Sequence, residues 1–85
     1  MNTETFTAEI NRQMVEAETR GARSVTITSG QTHRQVGGYP GTNHRMKTCC
    51  DVMEKMMLPG DRIVDKPRKG KGASLTIEYM LPRHH

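Results

Sequence analysis

Apolar side chains recur along the first twenty residues at Phe6, Ile10, Met14 and Ala17, and this spacing stacks them on one face of a helix. Thr7 to Arg20 contains neither Gly nor Pro, so a helix is predicted over that span. Thr5 or Thr7 serves as its cap, Glu9 falls in the first turn, and Arg20-Gly21 supplies a basic last turn and a stop. The period then changes. Ser24-Val25-Thr26-Ile27-Thr28 alternates, with Val25 and Ile27 on one side and hydroxyls on the other, and its β-branched residues predict a short strand. Ser29 caps a brief helix over Gly30 to Val36 that ends at Gly37-Gly38, and Tyr39-Pro40-Gly41 reads as a turn.

The most amphipathic segment follows. With Asn43 as cap, a helix over residues 43–57 gathers Met46, Cys49, Cys50, Met53, Met56 and Met57 into an arc of about 120°, a face that must be core. His44, Lys47, Thr48, Asp51 and Lys55 occupy the opposite side, Arg45 sits in the first turn near the edge of the apolar arc, and Pro59-Gly60 ends the helix. Residues 62–79 then form two alternating segments around a loop that carries Lys66, Arg68, Lys69 and Lys71 together with Gly70 and Gly72. This is a basic β-hairpin whose Ile63 opens it and whose return strand turns Leu75, Ile77 and Tyr79 inward.

Length bounds these 85 residues to one domain, and 33% apolar content without Trp leaves Met, Val, Ile, Leu and Cys to build a small core. Seven methionines make that core adaptable. Because so polar a chain has little apolar surface to offset its entropy, a second copy or a bound partner is a candidate source of stability, although no dimerisation segment is visible. The net charge of +4 conceals an asymmetry. Residues 1–20 are net acidic, whereas residues 21–85 hold eleven Lys and Arg against five Asp and Glu. A basic region beside an acidic end is the electrostatic footprint of a nucleic-acid binder.

No apolar run approaches the ~20 residues that span a bilayer, so a cytoplasmic protein without membrane contact is expected. Cys49 and Cys50 are adjacent, and a bond between neighbours closes a strained ring, so free thiols are expected. Arg83-His84-His85 reads as a tail and is kept out of the predicted fold.

The order helix, strand, helix, turn, helix, strand, loop, strand resembles the winged helix-turn-helix family over about residues 5–81. Thr32-His33-Arg34 and Asn43-His44-Arg45 look like segments of small bacterial or phage proteins of that architecture. The resemblance implies an α+β fold and a small regulator of double-stranded DNA, with the third helix in the major groove and the hairpin as the wing. His44, Arg45, Lys47 and Thr48 would then face bases and nearby phosphates, while Lys66, Arg68, Lys69, Lys71 and Arg34 would meet the backbone. Asp51 would be repelled by phosphate and limit how deeply its side of the helix inserts.

Two other functions stay open on the residues alone. A winged-helix-like adaptor for an acidic protein surface, including a phage inhibitor of a host defence system, would use the same cations. The turn over residues 37–45, with Arg34, Arg45 and the start of the third helix, would suit the phosphate of a small nucleotide, although it matches neither the Gly-Lys-Ser/Thr loop nor the three-glycine fingerprint. Catalysis is not expected, because no carboxylates pair in a predicted cleft and His33 is the only base near the cysteines. His33, His44, Cys49 and Cys50 are the only candidate metal set, but adjacent helical cysteines point about 100° apart, so no metal or cofactor is expected.

Overall fold

In the computed structural model, which describes residues 2–37, 45–68 and 71–83, the apolar periodicity becomes three helices against one face of an antiparallel sheet. The elements are α1 (Thr3–Thr19), β1 (Ser24–Thr28), α2 (Ser29–Val36), α3 (Met46–Lys55), β2 (Arg62–Asp65) and β3 (Thr76–Met80). The sheet runs β1-β3-β2, so β3 lies in the middle. Val25 is paired with Tyr79 and Ile27 with Ile77 across β1 and β3, which sends Ile27, Ile77 and Tyr79 to the helical side. Phe6, Ile10, Met14 and Ala17 of α1 and Met46, Cys49, Cys50, Val52 and Met53 of α3 complete the core with Leu75 and Leu81. Met56 and Met57, assigned by periodicity to the same face, lie only partly buried at its margin, whereas Val52 is buried.

Several predicted boundaries shift. The first helix begins at Thr3 and not Thr7, because Asn2 Oδ1 accepts from the amide of Thr5 at 2.9 Å and captures a start that Thr5 or Thr7 was expected to cap. Gly21, at φ +80°, lets the chain leave α1 after Arg20 in a conformation other residues resist. Thr28, not Ser29, holds the cap position of α2, and Ser29 is instead a buried first residue. Within the described residues α3 is Met46–Lys55, shorter than the predicted 43–57, with Arg45 at its cap; the expected cap Asn43 lies outside those residues.

The second strand departs most from its pattern. Ile63 and Val64 are 38% and 48% exposed, because β3 already closes the core and β2 is an outer edge. Arg83, set aside as tail, is integral to the fold. Its guanidinium reaches Asp61 at 2.9 Å, donates to the carbonyl of Met56 at 2.7 Å and to that of Met80 at 3.0 Å, and lies 5.3 Å over the Tyr79 ring. Asp61 accepts in addition from the amides of Leu58 and Met80 at 2.8 and 2.7 Å.

Among the described residues no helix is long and apolar enough to cross a membrane.

Candidate nucleic-acid interface

The inner face of α2 is polar, and this decides how the surrounding elements meet. Ser29, Thr32, His33 and Val36 share one side at helical spacing, and the first three are fully buried. Each polar member bonds a different part of the protein. Ser29 Oγ donates to the carbonyl of Gly72 at 2.6 Å, Thr32 Oγ1 accepts from Gln13 Nε2 of α1 at 3.2 Å, and His33 Nε2 accepts from the amide of Arg45 at 2.8 Å. His33 also meets Phe6 edge-on at 5.0 Å between ring centres. The imidazole therefore accepts across space from the amide of the cap residue itself, the bond that the N3 side chain of a capping box would otherwise give. His33, considered as a base for a cysteine nucleophile, is a bracket between helices. The signal was present in the spacing of Ser29, Thr32 and His33, three polar residues at positions an amphipathic helix reserves for its core.

The start of α2 is equally committed to the loop between β2 and β3. The amide of Ser29 donates to the carbonyl of Leu75 at 2.8 Å and that of Gly30 to the carbonyl of Ala73 at 2.9 Å. The approach is so close that a methyl group at Gly30 would stand 2.9 Å from the Ala73 oxygen. Cys50 Sγ adds a bond to the carbonyl of Gly72 at 3.3 Å, and Cys49 Sγ one to that of Ser29 at 3.6 Å. The two sulfurs thus address different carbonyls. Burial, aided by the neighbouring Cys50, pushes the Cys49 thiol up to about 12, and burial raises that of Cys50 against the opposing pull of Ser29, Lys71 and Gly72. Both are protonated core groups at neutral pH, unsuited to nucleophilic attack.

The residues expected to meet an anion divide into two groups. Arg45 is exposed at the cap of α3 and Thr48 half-buried one turn on, Arg34 is exposed near the end of α2, and Lys66 and Arg68 are exposed at the start of the hairpin loop; Lys55, not among the expected contacts, is exposed further along α3. Among the described residues no ion pair engages Arg45, Lys55, Lys66 or Arg68. Lys47 and Lys71, by contrast, are occupied. Lys71 Nζ lies 2.6 Å from Asp51 Oδ1 and 3.2 Å from Glu54 Oε2, and Lys47 Nζ lies 3.2 Å from Asp51 Oδ2. The lysine contacts, Lys71 first, hold the Asp51 carboxyl below its ordinary value, and the Asp51 contact holds the Lys71 ammonium above its own. Lys71, expected on phosphate, thus stands against carboxylates in this structure: α3 presents Asp51 and Glu54 one and two turns past Lys47, and a lysine from the next loop neutralises them.

His44, Lys69 and most of the 37–45 turn lie outside the described residues. The described end of that turn weighs against an open amide nest, since the amide of Arg45 is consumed by His33. Elsewhere, a groove of about 260 Å³ runs between α1, β1 and α2, but its Arg12 and Arg20 are both paired with Glu16, at 2.8 and 3.1 Å. No family model, characterised protein or solved structure matches this chain.

Proposed function

We propose that the domain is a winged helix-turn-helix that binds double-stranded DNA, with α3 directed at the major groove and the β2–β3 hairpin as the wing on the phosphate backbone. The observation that carries this reading is the element order α1-β1-α2-α3-β2-β3 with strand order β1-β3-β2, combined with exposed cations on α3 and in the hairpin loop that no ion pair engages among the described residues. Arg45 is the side chain best placed to donate to guanine O6 and N7, because it sits at the amino end of α3, where helices of this kind touch base edges. Thr48, one turn on, suits a thymine methyl. Lys66 and Arg68 set affinity without reading sequence.

Fluorescence titration of a labelled duplex at several salt concentrations tests the reading. With Lys47 and Lys71 committed to carboxylates, about three or four phosphates are neutralised, and the log-log salt slope is expected near −3. A salt-independent signal, or no binding at low salt, overturns it.

A second reading, a protein-binding adaptor, is favoured by one observation: Leu58, Ile63, Val64 and Met80 are exposed apolar side chains on and beside the edge strand β2. Lys66→Glu with Arg68→Glu separates the two. Duplex binding is lost under the first reading, and capture of an acidic protein partner through β2 survives under the second.

A further inference from the structure

Lys71 belongs by sequence to the run of cations expected on phosphate, yet its ammonium is held by two carboxylates of α3, at 2.6 and 3.2 Å. The backbone that carries it is held as well. Gly72 offers its carbonyl to Ser29 and Cys50, Ala73 to Gly30, and Leu75 to Ser29, so the returning limb of the hairpin is fastened to the start of α2 and the middle of α3. Gly72 also lies against Pro67, the residue between the free cations Lys66 and Arg68; a methyl group at Gly72 would stand 3.2 Å from the Pro67 ring. The position of the outgoing limb, which carries the free charges, is thereby tied to the position of the limb that Lys71 fastens.

On this geometry, and resting on the DNA-binding reading above, we propose that Lys71 is a positioning residue and not a phosphate contact: it latches the wing to α3 and masks Asp51 and Glu54 from the DNA backbone. Two physical effects follow from removing the ammonium. Asp51 and Glu54 become uncompensated negative charges on the face turned to the polyanion, with Lys47 left to balance only one of them. The returning limb loses the ion pairs that tie it to α3 and keeps, among the described residues, only the Glu78–Arg62 pair within the sheet, which frees the neighbouring cations to sample more orientations and raises the entropy lost on binding.

A double-mutant cycle distinguishes a latch from a direct contact. Lys71→Gln is measured in the wild-type background and in an Asp51→Asn, Glu54→Gln background, by duplex titration over a salt series. The latch predicts that Lys71→Gln weakens binding about tenfold in the first background and less than about twofold in the second, where the salt slope stays the same because no phosphate contact has been removed. Lys71→Arg, which can keep both carboxylates, should bind as wild type does. Equal losses in both backgrounds, with the slope reduced by about 0.9 in each, would mean that Lys71 touches phosphate and would overturn the proposal.

Failure of the DNA reading is separable. If the wild-type protein binds no duplex at any salt concentration, that reading falls, and the latch is judged by amide exchange alone: Lys71→Gln should speed exchange at Leu75, whose amide donates to Gly72 within the fastened limb. Unchanged exchange at Leu75 overturns the latch.

Discussion

Two ion-paired sites hold the chain around the end of α3, Lys71 on Asp51 and Glu54 within the helix and Arg83 on Asp61 beyond it, and they differ chiefly in how much water reaches them. Arg83 and Asp61 meet with side chains 9% and 1% exposed, whereas Lys71, Asp51 and Glu54 are each about one-third exposed, at 34%, 35% and 31%. In the first, both carboxylate oxygens and both terminal guanidinium nitrogens are used: Asp61 also binds two amides, and Arg83 also binds two carbonyls. In the second, water can replace either partner at little cost. Desolvation therefore turns similar chemistry into a fixed closure of the domain in one place and an exchangeable clasp in the other.

The largest expected effect breaks the buried member. Asp61→Ala leaves a desolvated guanidinium without its partner and two amides without their acceptor, so a loss of about 3–5 kcal/mol is expected. In a domain this small that lowers Tm by roughly 12 °C or more, and a fall of under about 4 °C in thermal denaturation would show that the pair is no closure. Acid supplies an independent test. Burial alone would raise the Asp61 carboxyl, but Arg83 and the Met80 and Leu58 amides outweigh it and hold the group below its ordinary 3.8. A carboxyl lowered in the folded state contributes stability that is present above 3.8 and is lost as pH falls through its folded value. Unfolding curves should therefore weaken below that pH in the wild type and flatten in Asp61→Asn.

A smaller effect is expected at the backbone side of the clasp. Gly30→Ala places a methyl group 2.9 Å from the Ala73 carbonyl, so either α2 or the returning limb must move. A cost of about 1–3 kcal/mol is expected from this overpacking, read as a lower denaturant midpoint with unchanged m-value. If Gly30→Ala is neutral, the limb is not fastened to α2 and the contrast between the two regions sharpens into rigid against loose.

The parts of this structure that were legible in sequence are those set by repeated apolar spacing. Phe6, Ile10, Met14 and Ala17 announced the buried face of α1, and Ile77 and Tyr79 the buried face of β3, because burial of a periodic stripe leaves few alternatives. The candidate interface was legible only as charge. Whether a lysine faces solvent or a carboxylate depends on which elements meet in space, so Lys66 and Lys71, five residues apart in one basic run, could not be told apart from their neighbours in sequence. Arg83 was missed for the same reason: its partners are Asp61, Met56 and Met80, none adjacent to it along the chain. His33 stands between these cases, since its place on the inner side of α2 was periodic while its bond to Arg45 was not.

The smallest expected effect, and the one that sharpens the comparison most, is on the stability of Lys71→Gln. A partly exposed ion pair is screened by solvent and loses side-chain entropy to keep its geometry, so despite its 2.6 Å contact this one should contribute less than about 1 kcal/mol. Guanidinium would mask the effect by its own ionic strength, so urea is the denaturant of choice. The difference in urea midpoint between wild type and Lys71→Gln should be small at low salt and vanish near 1 M salt, where the Debye length is about 3 Å. The deficit of Asp61→Ala should persist there, because ions cannot enter a site that is 1% exposed. Were the Lys71→Gln deficit to match that of Asp61→Ala and survive high salt, the clasp would be a second closure of the fold, and its carboxylates would not be open to exchange with an approaching anion.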